Sequence, residues 1–164
     1  MKKIIVIGCP GSGKSTFSVA LHNITGIPLF HLDMMYWNSD KTIVEKAVFL
    51  ERLSDAMQRS QWIIDGNYAS TMETRMKECD TVIFLDYPSE LCLDGIRERR
   101  GKTHSDIPWV SNSDDDAELI RFAESYNLQS RPQVMELLDK YSDKNIFIFT
   151  GRTEADEFLA GLKR

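Results

Sequence analysis

The sequence predicts an α/β fold, a parallel sheet of five strands covered by helices on both faces. Three observations carry that expectation. Short runs rich in β-branched residues alternate with stretches of helical periodicity along the chain. A glycine-rich turn joins the first such run to the first helical stretch. Polar residues collect just after the strand-like runs, where ligands sit in parallel sheets. At 164 residues the chain is long enough for one domain with a substantial core, and no repeat or low-complexity linker divides it.

The elements follow in order. Ile4-Ile5-Val6-Ile7 forms the centre of a first strand over residues 3–8, buried because every position is apolar. Phe17, Ala20, Leu21 and Ile24 then recur at helical spacing. A second strand is expected over 27–32. Thr42 opens the next helix, with Glu45 three residues on as a capping box and Ile43, Ala47, Leu50 and Met57 on one face. Strands three and four are expected over 62–65 and 81–86. Pro88 sets the start of a helix that runs to about Arg100. A longer helical pattern spans 114–141, with Asp114, Asp115 and Asp116 suiting the dipole of its first turn and Pro132 kinking or splitting it. A fifth strand over 145–150 precedes a terminal helix capped by Thr153 with Asp156.

Composition narrows the function classes. A net charge of −5 and the lack of a basic stripe argue against generic binding to nucleic acid or anionic membrane. The apolar runs are strand-length, short of a membrane span. The N-terminus leads directly into the first strand, so no cleavable signal peptide is expected. The three cysteines, Cys9, Cys79 and Cys92, are odd in number and lack metal spacing, which suits a reducing cytoplasm. A monomer and a homodimer both fit.

The segment from Gly8 to Ser15, with Pro10, Gly11, Ser12, Gly13 and Lys14, has the spacing of a phosphate-binding loop and continues into Thr16. Glycines let the backbone wrap a polyphosphate with N–H groups inward, and the helix N-terminus adds partial positive charge. Lys14 is then placed to reach the β- and γ-phosphates and the Ser15 hydroxyl to ligate Mg²⁺, so ATP and Mg²⁺ are the expected cofactors. Asp33, after the second strand, suits Mg²⁺ or an acceptor hydroxyl; a plain N-cap is the other reading. Asp65, followed by Gly66, Asn67 and Tyr68, is a second metal or acceptor candidate, or a plain turn. Tyr36 and Trp37 form either core or an apolar wall beside the acceptor. Arg99 and Arg100 end a helix, where cations are favoured, and also suit phosphoryl oxygens. Arg121 and Arg131 are candidates to reach the same phosphates from the returning helix. The polar segment at about 102–117 reads as a lid.

With these positions assembled, the chain resembles the small P-loop kinases of the adenylate kinase and shikimate kinase type, and more narrowly the bacterial DNA topology modulation (FlaR-like) proteins. The residues behind that are the glycine loop, His31-Leu32-Asp33 with Tyr36-Trp37, residues 62–68, residues 82–88 and Arg99-Arg100. The resemblance implies a three-layer P-loop fold with strand order 2-3-1-4-5, a lid and an acceptor region. It also implies departures. His31 stands where shikimate kinases carry a first acid, and Asn67-Tyr68 replace the residues that follow Asp-Gly in adenylate kinases, which leaves Arg75 as the substitute for a missing acceptor arginine. Gly95 stands where an arginine often lies near adenine, which leaves Arg152 to cover the base. The expected activity is transfer of the γ-phosphoryl group of ATP to a small hydroxyl or phosphate acceptor. The alternative is a nucleotide-binding regulator with slow ATPase activity.

Overall fold

The computed structural model describes residues 1–163. Its five strands are β1 (Lys3–Gly8), β2 (Leu29–His31), β3 (Trp62–Asp65), β4 (Thr81–Leu85) and β5 (Asn145–Phe149). They form one sheet in the order β2-β3-β1-β4-β5, with every pairing parallel. Helices cover both sides, giving the three-layer P-loop arrangement. The central strands β1, β3 and β4 are buried along their length, as continuous apolar runs require when both faces are covered. β5 is an edge strand and more exposed.

The helices are α1 (Lys14–Thr25), α2 (Leu32–Tyr36), α3 (Lys46–Met57), α4 (Ala69–Glu78), α5 (Ser89–Arg99), α6 (Ser113–Gln129), α7 (Arg131–Lys140) and α8 (Arg152–Leu162). α1 buries Phe17, Ser18 and Leu21 and packs against α8 and β1 to β3. α5 lies on α6, and α6 on α7.

Two local expectations need correction, and one is met. The helix expected from Thr42 begins at Lys46, because residues 38–43 form a turn instead: the Asn38 N–H donates to the Thr42 carbonyl and Ile43 bridges Trp37. Its buried face is therefore Phe49, Leu53 and Ala56, while Ile43 and Leu50 are exposed. The 114–141 pattern is split beside Pro132, as expected, into two helices with Ser130 as the break, and its start is capped by Asn112 and Asp115 in a reciprocal box. The last helix is capped differently too: Gly151 is its N-cap, and Glu154 accepts the Thr150 N–H.

Candidate nucleotide and acceptor site

The carboxyl ends of β1, β3 and β2 bring the candidate residues to one edge of the sheet. α1 starts at Lys14 with Gly13 as its N-cap, and Gly13 (φ 87°) offers no side-chain acceptor. The N–H groups of the first turn are thus left uncapped, the condition for binding an anion there. Gly11, Gly13, Ser15 and Thr16 line a cavity of about 200 Å³ with Gly95, Glu98, Arg99, Lys102, His104, Asp106 and Arg152. The Ser12 hydroxyl beneath the loop is buried without a partner. The Lys14 amine donates to the carbonyls of Gly8 (3.0 Å) and Cys9 (3.1 Å). Burial pulls its pKa below the ordinary lysine value, against the carboxylates of Asp65 and Asp33.

Two glycines set how closely α5 approaches the loop. A Cβ on Gly95 would stand 2.0 Å from the Gly11 carbonyl oxygen, and one on Gly11 2.0 Å from the Cys92 carbonyl oxygen. The backbones pack directly on each other, so Gly95 has a structural reason. Arg152 shares the cavity with Gly95.

The acidic side is organised by pairs. Register places His31 beside Asp65, and their Nδ1 and Oδ2 lie 2.7 Å apart. Burial pulls the His31 pKa down, but the Asp65 hydrogen bond and charge, with Asp106 and Asp33 beyond, raise it overall. Asp33 accepts a hydrogen bond from the Tyr68 hydroxyl. Burial raises the Asp33 pKa above the ordinary carboxylate value, and the Tyr68 bond works against that. Tyr68 itself sits at φ 36°, a left-handed backbone that bulky residues rarely adopt. Arg75, fully buried, holds that backbone by donating to the carbonyls of Gly66 (2.9 Å), Asn67 and Tyr68 (3.3 Å). Tyr36 packs against Trp37, Phe49 and Tyr68 with ring centroids 5.1, 5.3 and 4.8 Å away, and Trp37 meets Trp109 at 5.7 Å.

Comparisons with known proteins agree with this fold. No family model matches the chain. Adenylate kinase of Clostridium botulinum (strain Eklund 17B / Type B) is 24% identical, with 93% of each chain covered. The uncharacterized protein YqaC of Bacillus subtilis (strain 168) is 30% identical over 60% of this chain and 56% of its own length. The 1.7 Å crystal structure of shikimate kinase from Bacteroides thetaiotaomicron superposes with a TM-score of 0.54 at 20% identity, covering 98% of this chain and 95% of that one. The fold is that of the P-loop nucleotide and small-molecule kinases, and the chain is similar in sequence to members of that group. The narrower likeness to the DNA topology modulation proteins is only loosely supported by these relatives.

Within that superfamily fold, several expected site residues are placed differently from the sequence reading. Arg75 does not substitute for an acceptor arginine, because its guanidinium is enclosed and bonded to backbone carbonyls. Asn67 faces the loop: its amide accepts the Gly8 N–H (3.2 Å) and donates to the Gly8 carbonyl (2.7 Å), stitching β3 to β1. Arg131 forms two 2.8 Å bonds with Asp86 beside a separate depression of about 360 Å³ that contains no loop residue. Arg100 pairs with the buried Asp116. Arg121 is exposed and does not line the loop cavity. Pro10 also lies outside the cavity lining. Lys14, Ser15, Thr16, Arg99 and Arg152 remain at the loop, with Asp33 and Asp65 close enough to act on Lys14 electrostatically.

The sequence reading missed one residue at the centre of the site. Asp106, from the segment expected to form a lid, is 4% exposed and accepts a 2.7 Å hydrogen bond from Ser15. No periodicity or motif marks it; it is one acid in an irregular polar stretch.

Proposed function

We propose that this protein is an ATP-dependent phosphotransferase that moves the γ-phosphoryl group to a small hydroxyl-bearing acceptor. The observation that carries the reading is the uncapped start of α1 with Lys14 and Arg99 beside it. These groups suit a polyphosphate: the start of α1 and the Arg99 guanidinium line one cavity, and the buried Lys14 amine is held on the adjoining loop carbonyls. The donor set also fits Mg²⁺ that arrives with the nucleotide. Mg²⁺ keeps phosphate oxygens and waters as ligands and needs only one or two protein oxygens. Ser15 and, through water, Asp33 or Asp65 would hold it, and it would neutralise charge on the β- and γ-phosphates.

The chain's own residues take the remaining roles. Lys14 turns from the loop carbonyls to phosphate oxygens, and Arg99 offsets charge in the transition state. Asp33, its basicity raised by burial, orients and deprotonates the acceptor hydroxyl. The segment at about 102–117 acts as the lid, with residues 113–117 already helical as the start of α6. Arg152 and Gly95 flank the place for the base.

A hydroxyl acceptor is favoured over a phosphate one by the state of the cations beside Tyr36, Trp37 and Tyr68. Arg75 is enclosed, Arg52 donates to the Met35 carbonyl (2.9 Å), and Lys41 pairs with Asp115 (2.9 Å). Aromatic rings and carboxylates dominate that side instead. The test is ADP release with ATP, Mg²⁺ and matched acceptors, nucleosides against their 5′-monophosphates, in the wild type and Lys14→Ala. Acceptor-stimulated release lost in Lys14→Ala supports the reading. Tight ATP binding with no transfer across hydroxyl and phosphate acceptors favours the regulator, a reading the docked Asp106 also suits.

A further inference from the structure

Asp106 occupies a position that chemistry would otherwise give to a phosphoryl group or its metal. Its Oδ2 lies 2.7 Å from the Ser15 hydroxyl, and its Oδ1 and Oδ2 lie 2.8 and 3.0 Å from one Arg99 guanidinium nitrogen. Those are the two side chains expected to meet the metal and the transferring group. A carboxylate and a phosphoryl group present similar oxygens to such partners, and both cannot use them at once.

The surrounding strap keeps the carboxylate there. Residues 101–112 have no regular helix or strand, yet they are tied at several points. The Ser111 hydroxyl donates to the Arg99 carbonyl (3.0 Å), and the Gly101 N–H donates to the Ser111 carbonyl (3.2 Å). Farther along, Trp109 meets Trp37 edge-on, and Lys41 pairs with Asp115 at the start of α6. Asp106 therefore reaches the loop from a segment anchored on both the nucleotide and the acceptor sides. Burial disfavours its charge, but Arg99 and Ser15 hold its pKa below the ordinary aspartate value, so the docked group is an anion.

We propose that Asp106 is an internal ligand of the phosphate position, and that a nucleotide binds by displacing this carboxylate from Ser15 and Arg99. The inference rests on the reading of the loop as a nucleotide site. It makes Asp106 the residue that sets nucleotide affinity: a tethered anion competes at high effective concentration with any free one. Displacing it also releases the strap that carries Trp109, so the acceptor side opens only after the nucleotide has entered.

The test is calorimetry with inorganic pyrophosphate and with Mg²⁺–ATP on the wild type, Asp106→Asn and Asp106→Ala. Removing the competitor tightens both ligands by about tenfold, the scale of one charged hydrogen-bond pair. Wild-type binding with unchanged or weaker binding in the variants overturns the proposal while leaving the nucleotide site intact. No binding by any of the three proteins removes the nucleotide site itself, and the proposal with it. A second measurement needs no variant: amide hydrogen exchange across residues 103–112 of the wild type, with and without pyrophosphate. Faster exchange around Asp106 on binding supports displacement; unchanged or slower exchange overturns it.

Discussion

The two halves of the candidate site are built from different materials. The nucleotide side is backbone: uncapped N–H groups at the start of α1, with Gly11 and Gly95 packed face to face. The acceptor side is side chains: five aromatic rings, the Asp33–Tyr68 bond and the buried Arg75 that pins a left-handed Tyr68. Backbone chemistry serves any polyphosphate, which explains why a loop of this kind recurs across a superfamily. Side-chain chemistry, by contrast, is particular to the residues that this chain places there.

Substitutions in each half should separate them. The largest stability effect is expected on the acceptor side. Arg75→Ala leaves the carbonyls of Gly66 and Asn67 without donors in a buried place and frees Tyr68 to relax, at a cost of about 3–4 kcal/mol. Urea unfolding measures this; a loss below about 1 kcal/mol would mean that water replaces the guanidinium.

Gly95→Ala probes the nucleotide side by its sign. In an open helix the change stabilises by about 1 kcal/mol. Here the new Cβ meets the Gly11 carbonyl at 2.0 Å, so a net destabilisation of about 1–2 kcal/mol and weaker ATP binding are expected. A raised melting temperature would show that α5 does not press on the loop.

Smaller effects concern pH. Tyr68→Phe removes a donor that lowers the Asp33 pKa, so that pKa rises further. If Asp33 must be ionised, the acid limb of the phosphotransfer rate profile moves to higher pH in this variant, with little change at alkaline pH. A limb that stays in place would separate Asp33 from the proton transfer. The smallest effect is expected at the seam between the halves. His31 has a raised pKa, so its pairing with Asp65 stabilises most below the unfolded value of 6.5 and fades as pH rises through the folded one. The stability difference between wild type and His31→Gln should therefore shrink as pH is raised above that value. A pH-independent difference in thermal melts would contradict this.

The strands and the phosphate loop were legible in the sequence because both are local. β1 and β3 fall where their β-branched runs lie, and the loop's glycines, lysine and serine act through positions a few residues apart. The start of α3 was not legible, since the turn at residues 38–43 took Thr42 away from the helix. The arginines were misjudged for a related reason: a guanidinium in sequence carries no sign of its partner. Arg75 went to carbonyls, Arg131 to Asp86 and Arg100 to Asp116.

From its order of residues alone this chain was committed to a parallel sheet with a glycine-rich turn at the end of the first strand, because periodicity and glycine spacing act over short distances. Tertiary structure decided which charges meet. His31 faces Asp65 only because β2 lies next to β3, and Asp106 reaches Ser15 across 91 residues only because the strap folds back over the loop. Such pairings depend on how separate elements pack in space, which local periodicity does not encode.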